Sequence, residues 1–200
     1  MKKATSISTK IKVLGALLIA LMLSVIATTI YLNQQNEKDA LVINIAGKQR
    51  MLTQKMSKNV FYIHYSSNKD FYELNEAVDE FIKGLNTLRH GDSEKKIYPV
   101  PTYEISLQQI EVGKLWESFY ENIQNFKLFT NSAVNRDADL EEIVTAIYRD
   151  NTILLDNVDK LVTMYTDYSE NKTNFIKTFQ YTSGLYYSFY LSIHFYSFVL

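Results

Sequence analysis

The longest apolar stretch comes first. Residues 13–32 read VLGALLIALMLSVIATTIYL, and no charged side chain occurs between Lys12 and Glu37. At about 1.5 Å of rise per residue, a helix of this length spans roughly 30 Å, the thickness of a bilayer's hydrocarbon core. Lys2, Lys3, Lys10 and Lys12 precede it without any acidic residue, and Tyr31 sits where an interfacial aromatic belongs. The positive-inside rule then puts the N-terminus in the cytoplasm and residue 34 onward outside. A cleaved signal peptide, with Val25-Ile26-Ala27 as a weak cleavage site, is the other reading. The run is longer than the roughly 7–15 residues of a signal core, which favours an uncleaved anchor. Both readings export the chain from residue 34 onward.

Beyond the anchor the pattern changes to amphipathic helices. Residues 34–64 continue the first helix, and Tyr65-Ser66-Ser67-Asn68 reads as a turn. Asp70 and Glu73 have capping-box spacing, ahead of a stripe of Phe71, Leu74, Val78, Phe81, Leu85 and Leu88. His90-Gly91 ends that helix, and Pro99 and Pro101 lie in the longest connection, about residues 90–102. Thr102 is placed to cap a third helix, with Ile105, Val112, Leu115, Trp116, Phe119, Ile123 and Phe126 on one face. A polar turn spans 131–138. Asp139 and Glu142 offer another capping box, and Leu140, Ile143, Ile147, Leu154, Val158, Leu161 and Tyr165 form the fourth stripe. The expected fold is all-α: a membrane-anchored, antiparallel four-helix bundle running up-down-up-down. The expected organisation is a cytoplasmic N-terminus (1–12), a transmembrane helix (13–33), an extracytoplasmic domain (34–183), and an aromatic-rich segment (184–200) positioned as a partial second membrane span.

Composition narrows the chemistry. Six Gly and two Pro in 200 residues suit long helices, and the absence of Cys removes disulfides and thiolate metal sites. A formal net charge of −1 gives no footprint for nucleic acid. His64, His90 and His194 are far apart, with no metal-ligand spacing, no phosphate loop and no nucleophile elbow. No metal, cofactor or enzymatic activity is expected.

The informative segment is residues 43–58, INIAGKQRMLTQKMSK. At about 100° per residue, Leu41, Ile45, Leu52, Met56 and Ile63 share one arc, which should face the core. Asn44, Gly47, Arg50, Met51 and Gln54 fall on roughly the opposite side. A glycine inside a helix costs about 1 kcal/mol relative to alanine, but it lets a second backbone come close. A second copy crossing at Gly47 would bring two Arg50 guanidiniums together, and a planar oxyanion between them would relieve the repulsion. The plainer reading is a solvated face with an incidental glycine, and periodicity alone favours it.

The same stretch resembles the first-helix signature of the PilJ/NarX-like family of periplasmic sensor domains. These occur in type IV pilus-associated chemotaxis transducers and in nitrate/nitrite sensor kinases. Asn44, Ala46, Gly47, Arg50 and Met51 carry the likeness, followed by Leu52-Thr53-Gln54-Lys55. Weaker likeness runs over about 34–180, through Trp116 and Asn151 to Tyr165. The resemblance implies a periplasmic four-helix bundle that forms a homodimer at the bacterial inner membrane. It implies a small anionic ligand, nitrate or nitrite in the family's nitrate sensors, held between the two first helices. The ligand roles carry over to Arg50 and Gly47, with Asn44, Met51 and Gln54 as further ligand or dimer-face residues. The surrounding Lys48-Gln49 and Thr53-Gln54 are closer to the pilus-type members than to the nitrate sensors. Ligand binding would shift the first helix against the last and signal to a cytoplasmic module. No such module precedes Leu200, so the chain is expected to be a fragment or to pair with other membrane proteins. The alternative is a membrane-anchored structural or partner-binding helical protein without a small ligand.

Overall fold

A computed structural model describes residues 7–66, 69–132 and 137–199. Lys2 and Lys3, the tip of the first turn at Ser67-Asn68, residues 133–136 of the polar turn, and Leu200 lie outside the described residues. Four helices run in the order α1 (Ile7–Tyr65), α2 (Tyr72–His90), α3 (Tyr103–Thr130) and α4 (Asp137–Val199). The only extended pairing among the described residues is an isolated bridge between Asp92 and Ile97. The chain divides into a central unit, Lys38–Asp167, and a terminal unit built from Met1–Glu37 and Tyr168–Leu200.

Polar ties between helices define the topology of the central unit. On α1 and α2, Lys48 meets Glu80 and Lys55 meets Glu76, both at 2.9 Å. One number rises as the other falls, so the helices are antiparallel. The same opposition joins α2 to α3 (Lys127 Nζ to Asn75 at 2.8 Å; Gln109 Nε2 to the Leu88 carbonyl at 2.9 Å). It joins α3 to α4 (Asn122 Nδ2 to Asp150 at 2.9 Å; Gln109 Nε2 to Tyr165 Oη at 2.7 Å). It also joins α1 to α4 (Arg50 to Asp159 at 2.7 Å; His64 to Glu141 at 3.0 Å). The ring of four therefore closes as an up-down-up-down bundle.

The stripes read from the sequence supply most of the core. Leu52, Met56 and Ile63 on α1, Leu74, Phe81 and Leu88 on α2, Val112, Phe119, Ile123 and Phe126 on α3, and Ile147, Leu154, Val158 and Leu161 on α4 are buried. Each such side chain contributes about 1.5–3 kcal/mol on leaving water. Trp116 stacks on Phe81 with ring centroids 4.2 Å apart, filling the α2–α3 seam. On α1 the buried face is wider than the apolar arc. Ala46, Gln49, Thr53, Ser57 and Val60 are also buried, whereas Leu41 and Ile45 are only half-buried.

Helix ends follow local chemistry, with two departures from the sequence pattern. Thr102 caps α3, its hydroxyl accepting from the Ile105 N–H at 3.3 Å. Gly91 ends α2 at φ 80°, a left-handed backbone suited to glycine, and its N–H reaches the Thr87 carbonyl. The Asp70/Glu73 capping box does not form as such. The helix starts at Tyr72, and Asp70 instead accepts the Tyr72 N–H at 2.9 Å. Asp139 is no cap either, because α4 is already under way at Asp137 and Asp139 belongs to its first turn.

In the terminal unit, α1 leaves Ile11, Val13, Leu17, Ile19, Met22, Leu23 and Ile26 exposed along one helix. A continuous apolar surface of this kind fits lipid rather than water. Among the described residues, α1 is the one helix long and apolar enough to cross a membrane. Thr173 Oγ1 donates to Asn36 Oδ1 at 3.0 Å, tying α4 to α1 here. The 184–200 segment continues α4 as helix to Val199, with Leu185, Tyr186 and Phe189 exposed.

Candidate ligand-binding site

Ion pairs mark how α1 sits in the bundle. Lys48 and Lys55 turn to the carboxylates of α2 on one flank, and Arg50 turns to Asp159 of α4 on the other. The strip between these flanks faces outward. It carries Ala40, Asn44, Gly47, Met51, Gln54 and Lys58, spaced alternately by four and three residues. That is the spacing with which one helix seats against another in a coiled coil. Asn44, Met51 and Gln54 are exposed, and Gly47 is half-exposed. The structure thus brings the predicted Asn44, Gly47, Met51 and Gln54 onto one surface, with Arg50 at its α4 edge.

Among the described residues, nothing packs where a Gly47 side chain would be. A Cβ built there meets nothing within 4 Å. Gly84 on α2 is the contrast: a Cβ there would collide with the Gln49 carboxamide, so that glycine makes room for a buried polar side chain. Gln49 is only 2% exposed, and its Oε1 has no hydrogen-bond partner among the described residues. Beside it, the Thr53 hydroxyl donates to the Arg50 carbonyl at 2.9 Å, tying that turn of helix together.

Arg50 is exposed but partnered. Its Nη1 donates to Asp159 Oδ1 at 2.7 Å, with side-chain exposures of 54% and 51%. That hydrogen bond and the carboxylate's charge push the guanidinium pKa further up, so it stays a cation at any working pH. A guanidinium in this position can hold a planar oxyanion by paired hydrogen bonds, and a carboxylate already occupies part of it. Asp159 is invisible to sequence patterning because nothing in a linear pattern links positions 109 residues apart. A shallow concavity of about 480 Å³ on α2, bordered by Asp79, Lys83, Asn86 and His90, contains none of these residues.

Residues 31–141, more than half of the chain, match the family described as the N-terminal domain of type IV pili methyl-accepting chemotaxis transducers, PilJ. The chain belongs to this family. All five predicted site residues lie inside the matched segment of this PilJ-type chain, and Asp159 lies beyond it. Protein PilJ of Pseudomonas aeruginosa strain PAO1 is 33% identical over 92 residues. That alignment takes in 44% of this chain and 14% of the relative's length. Among solved structures, the ligand-binding domain of the P. aeruginosa nitrate receptor McpN superposes with a TM-score of 0.53 at 22% identity. It covers 64% of this chain and 95% of that domain. At that identity the likeness is one of fold, the same bundle of four helices. The PilJ-type central unit is accordingly a sensing domain of the chemotaxis-transducer kind.

Proposed function

We propose that the central unit is the extracytoplasmic sensor of a bacterial inner-membrane receptor, anchored by residues 13–33 and working as a homodimer. Two α1 helices meet along the outward strip at Gly47, and a small planar oxyanion is held between them by the two Arg50 side chains. The observation that carries this reading is Gly47 itself: a helix-interior glycine with open space where its side chain would be, next to an exposed guanidinium. No contact among the described residues accounts for the glycine, and a second backbone at close range would. The nitrate receptor with the same fold supports nitrate as the first ligand to try. Binding in the periplasm would then be passed through α1 to a cytoplasmic signalling module or partner.

The Arg50–Asp159 pair favours a second reading, in which the arginine merely closes the bundle and the chain is a partner-binding membrane protein. Calorimetric titration of the full chain in lipid nanodiscs with sodium nitrate and sodium nitrite separates the two. Saturable heat that vanishes in Arg50→Ala supports the sensor. Heat that survives Arg50→Ala moves the site elsewhere, and no heat with either anion leaves the partner-binding reading.

A further inference from the structure

The direction of Arg50 carries a consequence for how the site responds. On a helix of about 100° per residue, Arg50 lies roughly a quarter-turn from the centre of the outward strip, toward α4. Its guanidinium is held over that flank by Asp159 at 2.7 Å. A swing of the guanidinium off Asp159 toward the strip would bring it to a ligand between two α1 helices. An exposed ion pair is a weak tether, and the flexible arginine stem allows the swing.

We propose that Asp159 is a built-in competitor of the ligand. It occupies Arg50 in the ligand-free chain, and an oxyanion displaces it, releasing an α1–α4 tie in the same event. This rests on the oxyanion site proposed above. The carboxylate holds the guanidinium through Nη1 alone, and as a planar, two-oxygen anion it competes for the same donors as a nitrate or a free carboxylate. The competition also sets selectivity, because an anion must out-bond a carboxylate already in place. Near the same level, Lys48 and Lys55 are held by Glu80 and Glu76 on the α2 flank. They lie on the side of the strip opposite Arg50. Farther along α1, His64 meets Glu141 at 3.0 Å, a separate α1–α4 tie that an anion at Arg50 would not touch. Release at position 159 then frees one level of the α1–α4 contact while another stays tied.

The test uses the full chain in nanodiscs, titrated with sodium nitrate and, separately, sodium acetate. Asp159→Asn keeps the shape of the side chain and removes its charge. It should tighten binding of both probes by about five- to tenfold, the sum of a lost exposed ion pair and relieved anion–anion repulsion. The double variant Asp159→Asn/Arg50→Ala should bind neither, showing that the gain passes through Arg50. In the wild-type chain, the carbon-13 resonance of the Asp159 carboxylate should move on adding nitrate, a signal that a purely structural ion pair would not give. Wild-type binding with unchanged or weaker affinity in Asp159→Asn overturns the competitor role and leaves the oxyanion site standing. Absence of binding in both the wild type and Asp159→Asn removes the site, and the competitor with it.

Discussion

Gly47 and Gly84 sit in helix interiors for opposite reasons, and substitution separates them. At Gly84 an added methyl group would strike the Gln49 side chain. Gly84→Ala should therefore force the Gln49 carboxamide to move, and this overpacking should offset the helix-propensity gain of about 1 kcal/mol. At Gly47 the added methyl meets nothing within the chain. Gly47→Ala should raise the stability of the single chain by about 1 kcal/mol through helix propensity, while weakening self-association and nitrate binding. Thermal melts followed by circular dichroism, with sedimentation of the same samples, check both. If Gly47→Ala left association and binding intact, the glycine would be incidental. Gly47 and Arg50 stand out in the sequence through the resemblance carried by residues 43–58, since periodicity alone favours a plain solvated face. Gln49, Thr53 and Ser57 were not legible as buried residues, because hydrophobic periodicity registers only apolar side chains. For Gln49, the place in the core is explained by the space that Gly84 opens for it.

Each helix contributes more than a stripe. Gln109 on α3 links three of them, donating to the Leu88 carbonyl of α2 and the Tyr165 hydroxyl of α4. Tyr165 is 4% exposed, and burial pushes its phenol up from 10 to about 12, offset in part by the Gln109 hydrogen bond. The folded state thus favours the neutral phenol more than the unfolded state does. The corresponding stability is whole below pH 10 and is lost as pH rises toward 12, roughly 2–3 kcal/mol in all. Tyr165→Phe should remove that share of the alkaline loss in urea melts run from pH 8 to 12. An unaltered pH profile would show that the phenol is not held neutral by the bundle. The stripes of α2 and α3 were readable almost residue by residue, because each faces a single core. The capping at Asp70 and Asp139 was misplaced, since capping-box spacing fits several frames and the hydrogen bonds of the first turn decide among them.

At the scale of the whole molecule, the order of helices and their antiparallel sense came from short connections and four apolar faces. The α1–α4 pairing of Arg50 with Asp159 did not, because it depends on bundle register, which the sequence does not display. The outward strip of α1 is unfilled by the chain itself, and a second copy is its proposed occupant. Because the protein has no cysteine, one introduced thiol reports only contacts between copies. Met51 is 51% exposed and lies at the middle of the strip, whereas Tyr72 on α2 is 70% exposed and lies off it. A disulfide needs Cα atoms within about 7 Å, so it forms only where two helices touch. Met51→Cys and Tyr72→Cys chains, each oxidised in membranes with and without nitrate, test the α1–α1 contact most directly. A dimer joined at Gly47 predicts covalent crosslinking through Met51→Cys, at a rate changed by nitrate, and little through Tyr72→Cys. Equal, ligand-independent crosslinking at the two positions, or none at Met51→Cys, would contradict it.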